Sequence, residues 1–350
     1  MPTGLIGKSY SEMLSLHREY GAPPELARES FRRLYAGAFM HEADFAHLPA
    51  TIRTRLFAIE RSPAALIADR RASEDGSLKF LVQLHDGRRV ESVYLPFGKR
   101  RTVCVSSQVG CVLDCRFCAT GAMGFSRNLT AAEIVIQVLL VRRSLRALGL
   151  DDFVSNVVFM GMGEPFYNYE AVLAAANLLC DPRGMALAPR HITISTAGVL
   201  PAIESYCEAD LAYKLAISIT AADEELRNRL MPINERYRLG ELRNLLLKYP
   251  PRVVSRIMFE VPLLGGVNDR QHDAERLAEF CDGLPVRINL IAWNPVKGSA
   301  PFESPSPDSV LAFQNILRAA GLTVFVRRNM GRDIAGACGQ LAAGNADAAG

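Results

Sequence analysis

"CVSSQVGCVLDCRFCAT", residues 104–120, holds four of the chain's eight cysteines within fifteen positions. Cys111, Cys115 and Cys118 stand in C-x3-C-x2-C spacing, with the aromatic Phe117 just before the third. Cys104 lies upstream of them, and Cys338 stands alone far downstream in "DIAGACGQL". Thiols this dense in a cytosolic-looking chain point to metal or redox chemistry over structural disulfides. Structural zinc takes four ligands, most often as two separated pairs, and no second C-x2-C or H-x3-H completes such a set. Thiols that merely pack in a core do not suit a loop carrying Gly110, Asp114 and Arg116. Three thiolates suit a [4Fe–4S] cluster with one iron left open to a cofactor or substrate. Cys111, Cys115 and Cys118 are therefore the candidate ligands, and Cys104 is not among them.

Outward from this segment, the pattern is strand and helix in turn. Apolar strand candidates are "RTVCVSS", "NVVFMGM", "HITIST", "YKLAISIT", "VSRIMFEVPLL", "VRINLIAW" and "TVFVRR". Amphipathic helices separate them, one spanning residues 130–148 behind a Thr130/Glu133 capping box. Apolar runs joined by such helices imply parallel strands with crossover helices. Six or seven units suit a partial or complete α/β barrel, whose chemistry collects at the C-terminal strand ends. Cys111 to Cys118, Gly161 to Glu164, Ser195, Ser218 to Thr220 and Asn294 fall at such ends. Upstream, residues 1–72 read as a helical N-terminal domain, with residues 73–342 as the second domain. That second domain opens with a hairpin turning at Asp86-Gly87 in "LKFLVQLHDGRRVESVYLPF", and Glu91 sits early in its second strand. The small, polar tail at 343–350 is expected to fray.

Composition narrows the class. A chain of 350 residues, 49% hydrophobic, supports a sizeable core. No stretch reaches the roughly 18 uninterrupted apolar residues of a membrane span. The first residues carry no apolar signal core with a cleavage site, so a cytoplasmic location is expected. The net charge of +3 decides nothing, but short basic runs, Lys99-Arg100-Arg101 and Arg327-Arg328 among them, are what a phosphate-gripping surface needs. For any single run, an ordinary solvated face is the simpler reading.

"CVSSQVGC", "MGMGEP", "STAG", "RLMPIN", "NLIAWNP" and "DIAGACGQL" follow one another, in a resemblance that covers about residues 78–342. In identity and order they resemble the motifs of the RlmN/Cfr family of radical SAM RNA methyltransferases. The resemblance implies a partial (β/α)6 TIM-type radical SAM barrel with a small helical N-terminal accessory domain. It implies that Cys111, Cys115 and Cys118 hold a [4Fe–4S] cluster. Gly163, Glu164, Ser195, Ser218, Ile219, Thr220 and Asn294 would contact S-adenosylmethionine, two molecules of which are used per turnover. Glu91 would be the general base, Cys338 the methyl-carrying cysteine, and Cys104 the thiol that later pairs with it in a transient disulfide. The implied partners are RNA (rRNA, with tRNA as a second target), an external electron donor and a disulfide reductant. The chain is expected to act as a monomer, with no membrane.

The implied reaction methylates an adenine ring carbon, carbon 2 of an adenosine in 23S rRNA. Carbon 8, as in the Cfr branch, and a radical enzyme acting on a non-RNA substrate are the alternatives. A non-enzymatic RNA-binding protein with a structural metal has no use for Cys104 and Cys338. One departure stands out: the family's "SLHA" is here Ser218-Ile219-Thr220-Ala221. A hydroxyl replaces an imidazole, changing the hydrogen bonding available near the cofactor's ribose. Cys180, Cys207 and Cys281, in helical contexts, read as core thiols.

Overall fold

A computed structural model describes residues 5–58, 65–296 and 302–342; the tail at 343–350 lies outside the described residues. The chain begins with α1 (Tyr10–Glu19), α2 (Pro24–Phe31) and α3 (Ala50–Ala58). Ser9 and Glu12 close a capping box on α1, and a Pro at the first position starts α2, whose fixed φ suits a helix entry. Four strands then form an antiparallel meander: β1 (Ala65–Ala72), β2 (Leu78–Leu84), β3 (Arg89–Phe97) and β4 (Arg100–Cys104).

Here the structure corrects the sequence reading, which carried the helical region to residue 72. Residues 65–72 pair with β2 as an edge strand. Only Ala65 in β1 is buried, while Asp69, Arg70 and Arg71 face water, so the apolar alternation that signals a strand is thin. Charges on an exposed edge also discourage pairing with another chain.

A short hairpin, β5 (Gln108–Gly110) with β6 (Phe125–Asn128), encloses the cysteine loop and the single-turn α4 (Ala119–Ala122). Next come α5 (Ala131–Ala147), β7 (Asn156–Phe159), α6 (Tyr169–Cys180), β8 (Ile192–Thr196), α7 (Leu200–Glu208) and β9 (Lys214–Ser218). Three helices, α8 (Glu224–Leu230), α9 (Leu239–Leu247) and α10 (Pro251–Val254), lead to β10 (Ile257–Leu263). The chain then runs through α11 (Gln271–Phe280), β11 (Arg287–Ala292), α12 (Pro307–Ala319) and β12 (Thr323–Arg327). From β4 onward the neighbours in the sheet are β7, β8, β9, β10, β11 and β12, all parallel. Every strand read from the alternating segment is present, and helical crossovers join each to the next. The fold is the expected partial TIM-type barrel. The N-terminal helices dock on its helical layer, where Arg142 of α5 donates to the carbonyls of Tyr35 at 3.2 Å and Ala36 at 2.7 Å.

The two faces of the sheet differ sharply. Outward-facing Val157, Phe159, Ile194, Leu215, Ile217, Phe259 and Leu290 are fully buried beneath the helices. Inward-facing Thr102, Asn156, Val158, Ser195, Met258 and Phe325 are half-buried or exposed, while Cys104, Ala216, Glu260 and Asn289 on the same face are buried. A closed barrel fills its centre with branched side chains; this one keeps an open, partly polar hollow. Phe159→Ala should therefore cost about 3–5 kcal/mol in urea unfolding, while Val158→Ala, one residue away on the inner face, should cost about 1 kcal/mol or less. Equal costs would contradict the hollow interior.

Candidate active site

Gly110 ends β5 at φ 76°, and a Cβ there would lie 1.9 Å from the Gly124 carbonyl oxygen, so only glycine permits this entry to the cysteine loop. The Cys111 amide donates to that same oxygen at 3.0 Å, and the Leu113 amide reaches Cys111 Sγ at 3.4 Å. Cys118 caps α4 and donates to the Cys115 carbonyl at 3.0 Å. Neighbouring elements fasten the loop from both sides. Trp293 Nε1 donates to the Phe117 carbonyl at 2.9 Å, Ala119 donates to the Gly339 carbonyl at 2.8 Å, and Thr120 Oγ1 donates to the Leu341 carbonyl at 2.7 Å. The three cysteines remain partly exposed. Burial pushes the Cys111 thiol up to about 12, and burial followed by the charges of Cys118 and Cys111 pushes Cys115 well above its usual range. Among the described residues, no three His, Cys, Asp or Glu side chains converge on one point as ligands of a single ion. Thiolates that each hold a different iron of one cluster do not need to converge.

The strand ends around this loop carry polar groups. Gly163, at φ 100°, follows β7, and a Cβ there would meet Gln108 Cβ at 2.5 Å. Glu164 accepts from the Phe166 amide at 2.9 Å and the Ala197 amide at 2.7 Å, yet burial raises its carboxyl to about 7. Ser195 and Ser218 are half-buried on β8 and β9. Ile219 points into the core, and its amide donates to the Glu260 carbonyl at 3.0 Å, so this position offers only backbone to the hollow. Thr220 adopts φ 62°, unusual for a β-branched residue, and its buried Oγ1 has no partner. The Asn294 Oδ1 atom is likewise buried and unpartnered, while its Nδ2 faces the Cys338 carbonyl at 3.4 Å. Orphaned buried acceptors at the rim of a hollow mark places where a polar ligand can bind.

Arg227, which the sequence reading missed, holds these ends together. It is fully buried and donates to the carbonyls of Ile219 at 3.0 Å, Ala197 at 2.8 Å and Ser218 at 3.1 Å, and to Asn234 Oδ1. Burial lowers its guanidinium to about 10, which nearby Cys115 and Glu224 partly offset.

Two further cysteines, Cys104 and Cys338, lie on the inner side of the sheet. Cys104 ends β4, buried, its thiol pushed up to about 12 by burial and then by Cys338, against the Met160 amide and Arg327. Cys338 is accessible from the cleft, yet protein surrounds it on most sides, and that desolvation pushes its thiol up to about 11. Beneath them lies a polar layer also missed from sequence. Asn289 Nδ2 donates to Glu260 Oε1 at 2.9 Å, Arg327 Nη1 stands 3.7 Å from that oxygen, and Glu260 Oε2 is buried without a partner. The available signal was a charge inside each apolar strand, in "IMFEV" and "VFVRR". Glu91 is buried, its Oε1 3.0 Å from Lys79 Nζ and its Oε2 accepting from the Ala342 amide at 2.8 Å.

The radical SAM superfamily profile matches residues 105–281. A dual-specificity RNA methyltransferase RlmN from Magnetococcus marinus is 42% identical over 97% of this chain and 94% of its own length. Another from Solidesulfovibrio magneticus is 40% identical over 97% of both. This chain belongs to the RlmN family of radical SAM RNA methyltransferases. A crystal structure of a radical SAM methyltransferase from Sphaerobacter thermophilus superposes with a TM-score of 0.92 at 39% identity, covering 98% of this chain and all of that one. RlmN-family membership carries a requirement for S-adenosylmethionine and an iron–sulfur cluster. The partly exposed loop thiols, with an amide aimed at one sulfur, can hold such a cluster, and the orphaned Thr220 and Asn294 atoms can receive the polar end of a cofactor.

Arg227→Met would remove a donor from three carbonyls and from Asn234 Oδ1. The variant should lose at least about 3 kcal/mol in urea unfolding and bind S-adenosylmethionine more weakly by calorimetry. Arg227→Lys should not restore either property, because an ammonium cannot span the fork of acceptors.

Proposed function

We propose that this RlmN-family enzyme methylates carbon 2 of an adenosine in 23S rRNA, with a tRNA adenosine as a second target. The reading takes Cys111, Cys115 and Cys118 as ligands of a [4Fe–4S] cluster, and Gly163, Glu164, Ser195, Ser218, Ile219, Thr220 and Asn294 as contacts to S-adenosylmethionine. Cys338 carries the methyl, Cys104 resolves, and Glu91 is the base. Its main support is the C-terminal strap that the Ala119–Gly339 and Thr120–Leu341 hydrogen bonds fasten to the three-cysteine loop, which carries Cys338 to the side of the sheet where Cys104 senses its charge. A purely structural metal site has no need of that pair.

Bound together, the cluster and S-adenosylmethionine supply a methyl group open to thiolate displacement and, after one-electron reduction, a hydrogen-abstracting carbon radical. The chain's own residues do the rest. Cys338 Sγ, as thiolate, would accept the methyl and hold that carbon while the radical takes one of its hydrogens and the carbon joins the base, the adduct giving up one electron, which the cluster would take back. Glu91 takes the proton from the substituted ring carbon. Both of its oxygens already have donors, so one must give way. The Ala342 amide, on the same C-terminal segment as Cys338, is the weaker partner beside an ammonium ion. Cys104, as thiolate, attacks Cys338 Sγ, forming S–S and breaking S–C. The electron pair passes to the released carbon, which takes a proton, and a two-electron reductant restores both thiols.

Mass spectrometry of nucleosides from a deletion strain tests the substrate: 23S rRNA should lose its 2-methyladenosine, and an unchanged profile would sink the assignment. Cys115→Ala should reconstitute no [4Fe–4S] absorbance and cleave no S-adenosylmethionine.

The two lone cysteines should fail differently. Cys338→Ala should give neither product nor crosslink. Cys104→Ala should load the methyl, attack the base and stall, accumulating a ribonuclease-sensitive protein–RNA adduct on denaturing gels. Normal turnover by Cys104→Ala would remove it from the mechanism.

A further inference from the structure

The hollow has a second end. At the N-terminal ends of the strands, opposite the cysteine loop, cations gather from different elements. Arg100 opens β4, Arg190 precedes β8, Lys214 opens β9 and Arg287 opens β11. Side chains alternate along a strand. Arg100 therefore shares the inner face with Cys104, Lys214 with Ser218, and Arg287 with Asn289. Among the described residues, none of the four has an ion pair or a side-chain hydrogen bond, although Asp210, just before β9, pairs with Arg252 and Arg256 on the outside of the same layer.

These charges sense one another. Burial, then Arg100, Arg287 and Arg190, lower the Lys214 ammonium; burial, then Arg190, Lys214 and Arg100, lower His191. The Nδ1 atom of His191 is buried with no partner. Holding four cations together without a counter-charge destabilises the fold, and an anion seated among them reverses that cost. Next to this floor, on edge strand β12, Phe325 is 51% exposed on the inner face, sharing it with Arg327. An unstacked aromatic beside unpaired cations is the combination that holds single-stranded nucleic acid, through base stacking and phosphate contact. Cys104 stands four positions after Arg100 on β4, so their backbones are about 13 Å apart along the strand, the span of roughly two extended nucleotides.

We propose that the floor of the barrel hollow is a phosphodiester-binding subsite, in which Arg100, Lys214 and Arg287 grip the backbone of the RNA substrate and Phe325 stacks on one of its bases. The inference rests on the RNA-methyltransferase reading and adds a second anchoring point remote from the methylated base.

The test uses the reconstituted holoenzyme and in vitro transcribed 23S rRNA. Kd is measured across a salt series for wild type, Lys214→Gln/Arg287→Gln, Phe325→Ala and a control, Lys248→Gln, which removes an exposed charge at the end of α9. The double variant should bind about tenfold more weakly near 0.1 M salt, its log–log salt slope shallower by about 1.5–2. Its melting temperature without RNA should be no lower than wild type, since repulsion has been relieved. Phe325→Ala should weaken binding with the slope unchanged. Affinity and slope at wild-type values in the double variant would overturn the subsite. So would competition by sodium phosphate at constant ionic strength with RNA affinity unaltered in the variant, which assigns the floor to free phosphate. Failure of the wild-type enzyme to bind the rRNA would instead defeat the functional reading itself.

Discussion

The hydrogen bond from the Ala119 amide to the Gly339 carbonyl joins the cysteine loop to the segment that carries Cys338. Residues 328–342 contain no helix or strand, so their position rests on contacts of this kind. At one end Gly331 donates to Asp75 at 2.8 Å, Ser73 donates to Asp333 at 2.6 Å, and Lys79 donates to the Ala335 carbonyl at 3.2 Å. At the other, Thr120 holds Leu341 and Glu91 holds Ala342. Each bond adds only about 1 kcal/mol net. Together they pin both ends of a short strap and leave its middle, where Cys338 lies, among small residues. The strap is therefore ordered at both ends, with Cys338 in its less constrained middle.

The incomplete barrel makes that strap necessary. A sheet closed on itself would fill its centre with side chains and leave no room for a cofactor. Here β12 pairs only with β11, and the opposite flank of the parallel strands is continued by the antiparallel meander β1–β3. The helices bury most of one face of the sheet, supplying stability that the inner face does not have to provide. The inner face can then carry Glu260, Asn289, Arg327 and the basic floor, a polar lining a packed core would not tolerate without full pairing.

How much of this was legible in the sequence follows from the same division. The parallel strands were readable because their outer residues form near-continuous apolar runs, and α5 because Thr130 and Glu133 close its capping box. The cysteine loop declared itself by spacing. β1 escaped because only one of its residues is buried. Arg227 escaped because a buried arginine on a short helix looks, in one dimension, like the exposed Arg229 region around it. Its role exists only once β8 and β9 end side by side. The same holds for the floor: Arg100, Arg190, Lys214 and Arg287 are spread over nearly two hundred positions, and only strand register brings them to one end. Thr220 was legible as a departure, but its left-handed backbone, where histidine is tolerated better than a β-branched residue, was not.

The two sulfurs of the hollow sit where their protonated forms are favoured. With Cys104 at about 12 and Cys338 at about 11, both are thiols at neutral pH. A thiol is a poor nucleophile and a poor target for oxidants, so the pair rests without closing into a disulfide. Reactivity requires a cation to offset the desolvation, and Arg327 acts on both sulfurs in that sense. Its influence is shared with Glu260, whose carboxyl burial holds above the usual range. The polar layer under the cysteines thus sets a partly exposed arginine 3.7 Å from Glu260, where its charge favours the ionised form of both sulfurs.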